Sequence, residues 1–391
     1  MTALSNETDF PVDRAVQDAQ RVMAQRRAGC PVGHVHAGAS HGEGWLVTRY
    51  DDVMRLMTDP RVKRDRRNVP ELDTEEGHES LLYLDPPDHT RIRRLVNRTF
   101  TPRAVEHLRP KIEQLADELL DRMAEQGDVD LISAYALPIP LLVICELLGV
   151  PEDDRADFTA WSEAINGTQD DPAVKREAYA YLEKLVADKR TRPGDDLLSA
   201  LAVAASEDGG TLSETELLHN AILLLVAGHD TTVFLIANTV LALLGAPAQL
   251  AEVRAEPALL PAAIEEVLRY DSPVNISSHR WATEPITLSG VTVPAGQPLL
   301  VSVMSANRDP AQFDDPDRFD IHRDQGARHL GFGHGIHYCP GAPLARMETH
   351  IAVGKLIERF PDLRLAVSPD ALTMRDSLLM HGPTTLPVRL S

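Results

Sequence analysis

Residues 332–341 read Phe332-Gly333-His334-Gly335-Ile336-His337-Tyr338-Cys339-Pro340-Gly341. Two glycines shortly before a lone Cys let the backbone turn tightly and come close to a flat ligand. Pro340 suits the first turn of a helix, which the pattern predicts from there to near Phe360. A Cys at such an end faces unpaired N–H groups and the positive end of the dipole, and both favour the thiolate. A thiolate fixed this way can ligate a metal or act as a nucleophile. The bland alternative is an inert buried Cys, since free Cys is among the most buried residue types.

Upstream, the spacing predicts one long helix from Ser213 to Gly245, opened by a capping box (Ser213, Glu216) and closed at Gly245-Ala246-Pro247. At 1.5 Å per residue such a helix spans roughly 50 Å, enough to cross a domain. Its middle is apolar on every face and then breaks local rules at Ala227-Gly228-His229-Asp230-Thr231-Thr232. Gly228 costs about 1 kcal/mol against Ala, and Asp and Thr compete for backbone hydrogen bonds. Breaks of this kind are often functional.

Further helices are predicted at Asp51–Thr58, from Thr101-Pro102 to about Gln126, over Ile132–Leu148, from Pro151 and Pro172 with a break at Asn166-Gly167, over Asp195–Ala205 and over Pro257–Tyr270. Short β-type runs are Trp45–Thr48, Ile276–Trp281, Ile286–Leu288, Val291–Val293 and Leu299–Val303. Asn307–Gly335 is long and unpatterned, which in compact domains usually means function. The fold class is mainly α with a small discontinuous β part. With no visible linker, residues 1–391 read as a single domain.

The composition of the 391 residues, 43% hydrophobic and 25% charged, is that of an ordinary soluble domain. A net charge of −20 argues against general binding to nucleic acid or anionic membrane. Three cysteines, Cys30, Cys145 and Cys339, cannot all pair, which fits a reducing compartment. Met1–Arg27 has no apolar core of a secretory signal. The longest apolar run, Ala221–Gly228, is eight residues, against about 20 for a membrane span. A cytoplasmic protein is expected.

The segment Phe332–Gly341 resembles the haem-binding loop of the cytochrome P450 family, Phe-Gly-x-Gly-x-His-x-Cys-x-Gly, at every fixed position. The resemblance runs in the family's order from Asp51 to the C-terminus. It implies the P450 fold, with haem b between the long central helix and the Cys-bearing helix. It makes Cys339 the thiolate ligand of the iron, with Phe332, Gly333 and Gly341 shaping the loop. It also implies that His337, His89, Arg93 and Arg280 serve the haem propionates. Ala227 lies in the oxygen-binding groove, where Asp230 and Thr231 form an acid–alcohol pair relaying protons towards oxygen at the iron.

Glu266 and Arg269 match the family's Glu-x-x-Arg lock, with Arg318 as its third member. Arg346 and Glu348 lie behind the haem without assigned chemistry. The pocket falls among Val69–Leu84, Leu223, Val226, Ala227, Val274–Ser277 and Leu378–His381, mostly small or aliphatic, which suits a bulky aliphatic molecule.

The function implied is a haem-thiolate monooxygenase inserting one atom of O2 into a C–H or C=C bond of a bulky, largely apolar metabolite. A polyketide macrolide or sterol-like compound is expected. Electrons would come from ferredoxin and its reductase, docking on a basic island of Arg91, Arg93, Arg94, Arg98 and Arg103. A monomer is expected, with neither nucleic acid nor membrane as partner. The rivals are a haem-thiolate sensor, a peroxide-driven oxidase without O2 activation, and a hydrolase using Cys339 as nucleophile.

Overall fold

The structure, a computed structural model, describes residues 18–36, 43–72, 74, 78–165, 171–207, 212–324 and 328–391. Asn166-Gly167, Glu75 and Glu76 lie outside the described residues. The helices, in chain order, are α1 (Ala19–Gly29), α2 (Tyr50–Thr58), α3 (Asp88–Thr99), α4 (Pro102–Ala124), α5 (Pro138–Leu148), α6 (Arg155–Ile165), α7 (Pro172–Thr191) and α8 (Leu197–Glu207). They continue as α9 (Glu214–Gly245), α10 (Pro247–Ala255), α11 (Leu260–Tyr270), α12 (Val303–Ala306) and α13 (Ala342–Arg359).

The main sheet has the order β1 (Val32–His36), β2 (Glu43–Val47), β8 (Pro298–Ser302), β5 (Ile276–Ala282), β3 (Val62–Lys63). Only β2–β8 is parallel. A second sheet pairs β4 (Asp128–Asp130), β10 (Pro387–Arg389) and β9 (Arg364–Leu365), and β6 (Ile286–Leu288) and β7 (Val291–Val293) form a hairpin.

The capping box at Ser213 and Glu216 is formed in both directions, which fixes the start of α9. The helix then runs through the core, packed on α5, α7, α11 and α13. It comes close enough to α5 that a Cβ on Gly228 would lie 2.5 Å from Ile144 Cδ1. The apolar stretch 132–148 is not one α-helix. Ile132–Ala136 makes a π turn, and Pro138 opens α5, because Pro has no N–H to continue the α pattern.

Glu266 and Arg269 form a buried two-bond ion pair, with Nε–Oε2 and Nη2–Oε1 both at 2.8 Å. The third member is Arg323, whose Nε reaches Glu266 Oε1 at 3.1 Å. Arg318 is corrected out of this role: its guanidinium turns outward to Asp320 and Asp315, and only its carbonyl meets Arg269. Arg269 also donates to the carbonyls of Asn307 and Pro316. The lock therefore anchors an irregular segment that has few ladder hydrogen bonds of its own.

Candidate functional site

The Cys loop is shaped by two glycines in the left-handed region, Gly333 (φ 73°) and Gly335 (φ 74°). A Cβ on Gly335 would also sit 2.8 Å from the Met57 carbonyl oxygen, so no other residue fits there. The loop closes through Cys339 N–H donating to Phe332 O at 2.9 Å. The helix α13 starts at Ala342, with Gly341 as its N-cap, so Cys339 lies just before the helix rather than in its first turn.

Burial raises the Cys339 thiol, opposed by N–H groups of Gly341 and Ala342 and by the charges of Arg93 and Arg346. A thiol raised by burial is a poor free nucleophile. It becomes a thiolate when a cation sits on the sulfur, which disfavours the hydrolase reading.

Beside the loop, arginines and histidines gather, and the nearby carboxylate, Asp85, has its oxygens taken by the backbone N–H groups of Arg64 and Asp65 and by Asn68. The His89 and His337 rings lie 4.4 Å apart. Arg93 Nη1 donates to Tyr338 O at 2.6 Å. Arg280 is 3% exposed and, among the described residues, donates to Ser278 O and Ser277 Oγ. A further cation, Arg64, was not anticipated. It donates to Leu82 O at 3.1 Å and Ser278 Oγ at 2.6 Å. Among the described residues none of these arginines has a carboxylate within salt-bridge distance.

Each group suffers from burial and from its neighbours. His89 is pushed down to about 4 by burial, Arg93 and Arg64 against the pull of Asp85. Arg64 falls to about 10 by burial, and Arg280 falls well below its ordinary value by burial and Arg64. His337 is lowered by burial and by Arg64, His89, Arg280 and Arg93. Both ring nitrogens of His89 are buried without a hydrogen-bond partner among the described residues. Such a cluster is stable only when anions share it.

Across the site, Ala227 is exposed in the middle of α9, whose following turn, His229 and Asp230, is buried. Next to it Thr231 Oγ1 donates to Ala227 O at 2.6 Å. Asp230 is ion-paired through Oδ2 with Arg375 at 2.9 Å and approached by His229 Nδ1 at 3.4 Å. Arg375, from the C-terminal segment, was also missed.

The sequence profile described as Cytochrome P450 matches residues 173–384. The chain belongs to the cytochrome P450 family. It is 50% identical over 365 residues to Cytochrome P450 107B1 of Saccharopolyspora erythraea, covering 89% of each chain. It is 47% identical to the Cytochrome P450 monooxygenase PikC of Streptomyces venezuelae, covering 95% of this chain and 91% of that one. The solved structure of the Bacillus subtilis bacillaene polyketide synthase P450 PksS superposes with a TM-score of 0.89 at 40% identity, covering 97% of this chain and 98% of that one.

The chain is thus a haem-dependent P450 monooxygenase using O2 and a redox partner on a small molecule. The residues present fit the cofactor: a P450 haem brings two carboxylates to basic side chains that no carboxylate of the described residues pairs with, and an iron to the Cys339 thiol.

α9 is the one helix, among the described residues, long and apolar enough to cross a membrane, and 61% of its most apolar window is buried inside the fold. Arg91 is corrected out of the basic island, since its guanidinium is bonded to Glu216 and, at 3.2 Å, to Asp88. Arg94, Arg98 and Arg103 stay exposed. A recess of ≈ 500 Å³ lined by His89, Thr90, Arg93, Arg94, Asn97, Arg98 and Ile336 opens beside them.

Proposed function

We propose that Cys339 is the thiolate ligand of haem b and that the protein, a cytoplasmic monomer folded as one domain over 1–391, oxidises a bulky, largely apolar polyketide macrolide or related metabolite. The observation that carries the reading is the set Arg64, His89, Arg280 and His337, basic side chains with no carboxylate within salt-bridge distance among the described residues, beside the half-buried Cys339. When bound, haem supplies reductive O2 activation and the oxidation of an unreactive C–H or C=C bond.

This chain's residues supply position, proton control and water exclusion. Arg64, His89, Arg93, Arg280 and His337 would hold the two propionates, and Phe332, Gly333 and Gly341 shape the loop that carries Cys339. Gly341 and Ala342 N–H groups steady the Cys339 sulfur. Ala227 leaves room on the opposite face. Thr231 Oγ1 spends its proton on Ala227 O, which turns its lone pairs to accept from a group in the groove. Asp230 is held at Oδ2 by Arg375 at 2.9 Å, which orients its carboxylate beside the groove. The aliphatic groups at Leu223, Val226 and Leu378 exclude water from the substrate.

The macrolide class is supported by the names of relatives. A mycinamicin IV hydroxylase/epoxidase of Micromonospora griseorubida is 44% identical over 357 residues. A 6-deoxyerythronolide B hydroxylase of Saccharopolyspora erythraea is 41% identical over 401 residues. Electrons arrive from an acidic ferredoxin at Arg94, Arg98 and Arg103, exposed cations on a chain of net charge −20. The test is a panel of macrolactones, macrolides and sterols titrated against the ferric protein, followed by turnover with ferredoxin, its reductase and NADPH. A low-to-high-spin shift and an oxygenated product with the macrolactones support the reading; response to sterols alone overturns the substrate class. Arg94→Glu should slow reduction by ferredoxin several-fold, and an unchanged rate removes the island from docking.

A further inference from the structure

Arg346 and Glu265 form a cluster on the outer side of the Cys loop that the proposed chemistry does not use. Arg346, on α13, meets Glu265, on α11, in a two-bond fork, Nε–Oε1 2.5 Å and Nη2–Oε2 2.8 Å. His329 Nε2 lies 3.0 Å from the same carboxylate. The guanidinium carbon sits 4.4 Å from the centre of the Phe332 ring, and Nη1 donates to the Tyr338 hydroxyl at 3.5 Å. One guanidinium thus touches both ends of the loop, Phe332 and Tyr338, whose rings are 6.4 Å apart. Phe332 O in turn accepts the Cys339 N–H.

We propose that Arg346 is a positioning residue for the Cys339 sulfur, acting as a buckle on the loop and as a fixed positive charge whose field Glu265 partly cancels. The proposal rests on Cys339 holding the iron. Its second support is chemical. The N–H groups of Gly341 and Ala342 oppose the rise of the Cys339 thiol, and Pro340 between Cys339 and Gly341 has no N–H to give. A nearby cation makes up part of that missing donation, and Arg346 and Arg93 are the charges that oppose burial at the sulfur. Burial would raise Glu265, but bonds from Arg346 and His329 hold it down to about 2, so the pair stays charged at neutral pH. A guanidinium stacked on an aromatic face and forked onto a carboxylate has little freedom, so its charge stays where it is put.

A cation beside the sulfur favours the reduced state, which carries one more negative charge. Removing Arg346 should lower the one-electron midpoint potential; removing the Glu265 charge should raise it. The experiment is redox titration of haem-loaded wild type, Arg346→Gln, Arg346→Lys and Glu265→Gln, substrate-free and matched for spin state, each checked by its ferrous–CO band. We expect Arg346→Gln to shift the reduction equilibrium about three- to tenfold towards the ferric state, about 30–60 mV. Glu265→Gln should shift it by less in the opposite direction, and Arg346→Lys should stay near wild type in potential.

A purely structural buckle gives a different pattern: the variants lose the thiolate CO band to similar extents and their potentials move the same way, which overturns the proposal, as does no movement at all. If Arg346→Gln fails to retain haem, Glu265→Gln and Arg346→Lys decide. An upward shift in the first with the second near wild type supports the charge role; equal shifts of one sign refute it. A wild type without a red-shifted CO band instead rejects Cys339 as ligand, a separate failure.

Discussion

Replacing Glu348 by Gln should flatten the pH dependence of stability. Glu348 lies on α13, is 2% exposed, and its Oε2 has no hydrogen-bond partner among the described residues. Burial pushes it up to about 8, against about 4.3 in an unfolded chain. The sign follows from proton binding. Between those values the folded form keeps its proton while the unfolded form loses it, so stability falls as pH rises through that window and levels off above about 8.

At about 1.4 kcal/mol per pH unit, easing off as the folded group ionises near pH 8, the step from pH 6 to pH 8 removes about 2 kcal/mol from wild type. Gln fills the same volume and cannot ionise, so the variant lacks this term. With an unfolding entropy of about 2.1 cal/mol/K per residue, the melting temperature of the haem-loaded variant should gain about 3 °C on wild type between the two pH values. Differential scanning calorimetry at several pH values measures it. Parallel curves for the two proteins refute the reasoning.

Pro340→Leu adds an N–H beside the Cys339 sulfur and should raise the haem midpoint potential by tens of mV, hydrogen bonds to sulfur being a lever on potential; an unchanged or lower value leaves Pro340 as a helix starter only. Thr231→Ala should retain haem and substrate binding while much of the NADPH consumed appears as hydrogen peroxide; full product yield per NADPH removes Thr231 from the mechanism. His219 Nδ1 accepts the Glu79 N–H at 3.2 Å, with the His78 ring 5.1 Å away. Burial and His78 lower His219 against the pull of Glu79, so it stays neutral to more acid pH than a free imidazole. Protonation there removes the acceptor. Exchange of the amides at 79–81, corrected for intrinsic rates, should therefore accelerate only at pH values below those at which a free imidazole takes up its proton, and His219→Gln should abolish that dependence.

Local rules carried much of the fold. The capping box at Ser213 and the Gly-Ala-Pro stop bounded α9, and Glu216 performs the reciprocal bond its spacing suggests. The Cys loop was legible because its glycines are needed for left-handed backbone at 333 and 335. Long-range partners were not. Arg64 and Arg375 carry no local signal, since what matters is that folding buries one among other cations and brings the other against Asp230. Arg318 and Arg323 stand five residues apart in an irregular stretch, and only the turn at Asp320, whose N–H donates to Glu266 at 3.0 Å, selects Arg323. Arg91 looked like surface charge because Glu216 is far away in sequence.

The central claim is that Cys339 binds haem iron as a thiolate within a cradle of buried cations. The most direct measurement is the ferrous–CO spectrum of wild type beside Cys339→Ser, Cys30→Ser and Cys145→Ala. Wild type and the last two should show the strongly red-shifted Soret band of thiolate ligation, and Cys339→Ser should lose it. A red-shifted band that survives in Cys339→Ser, or disappears with Cys30 or Cys145, would contradict the account.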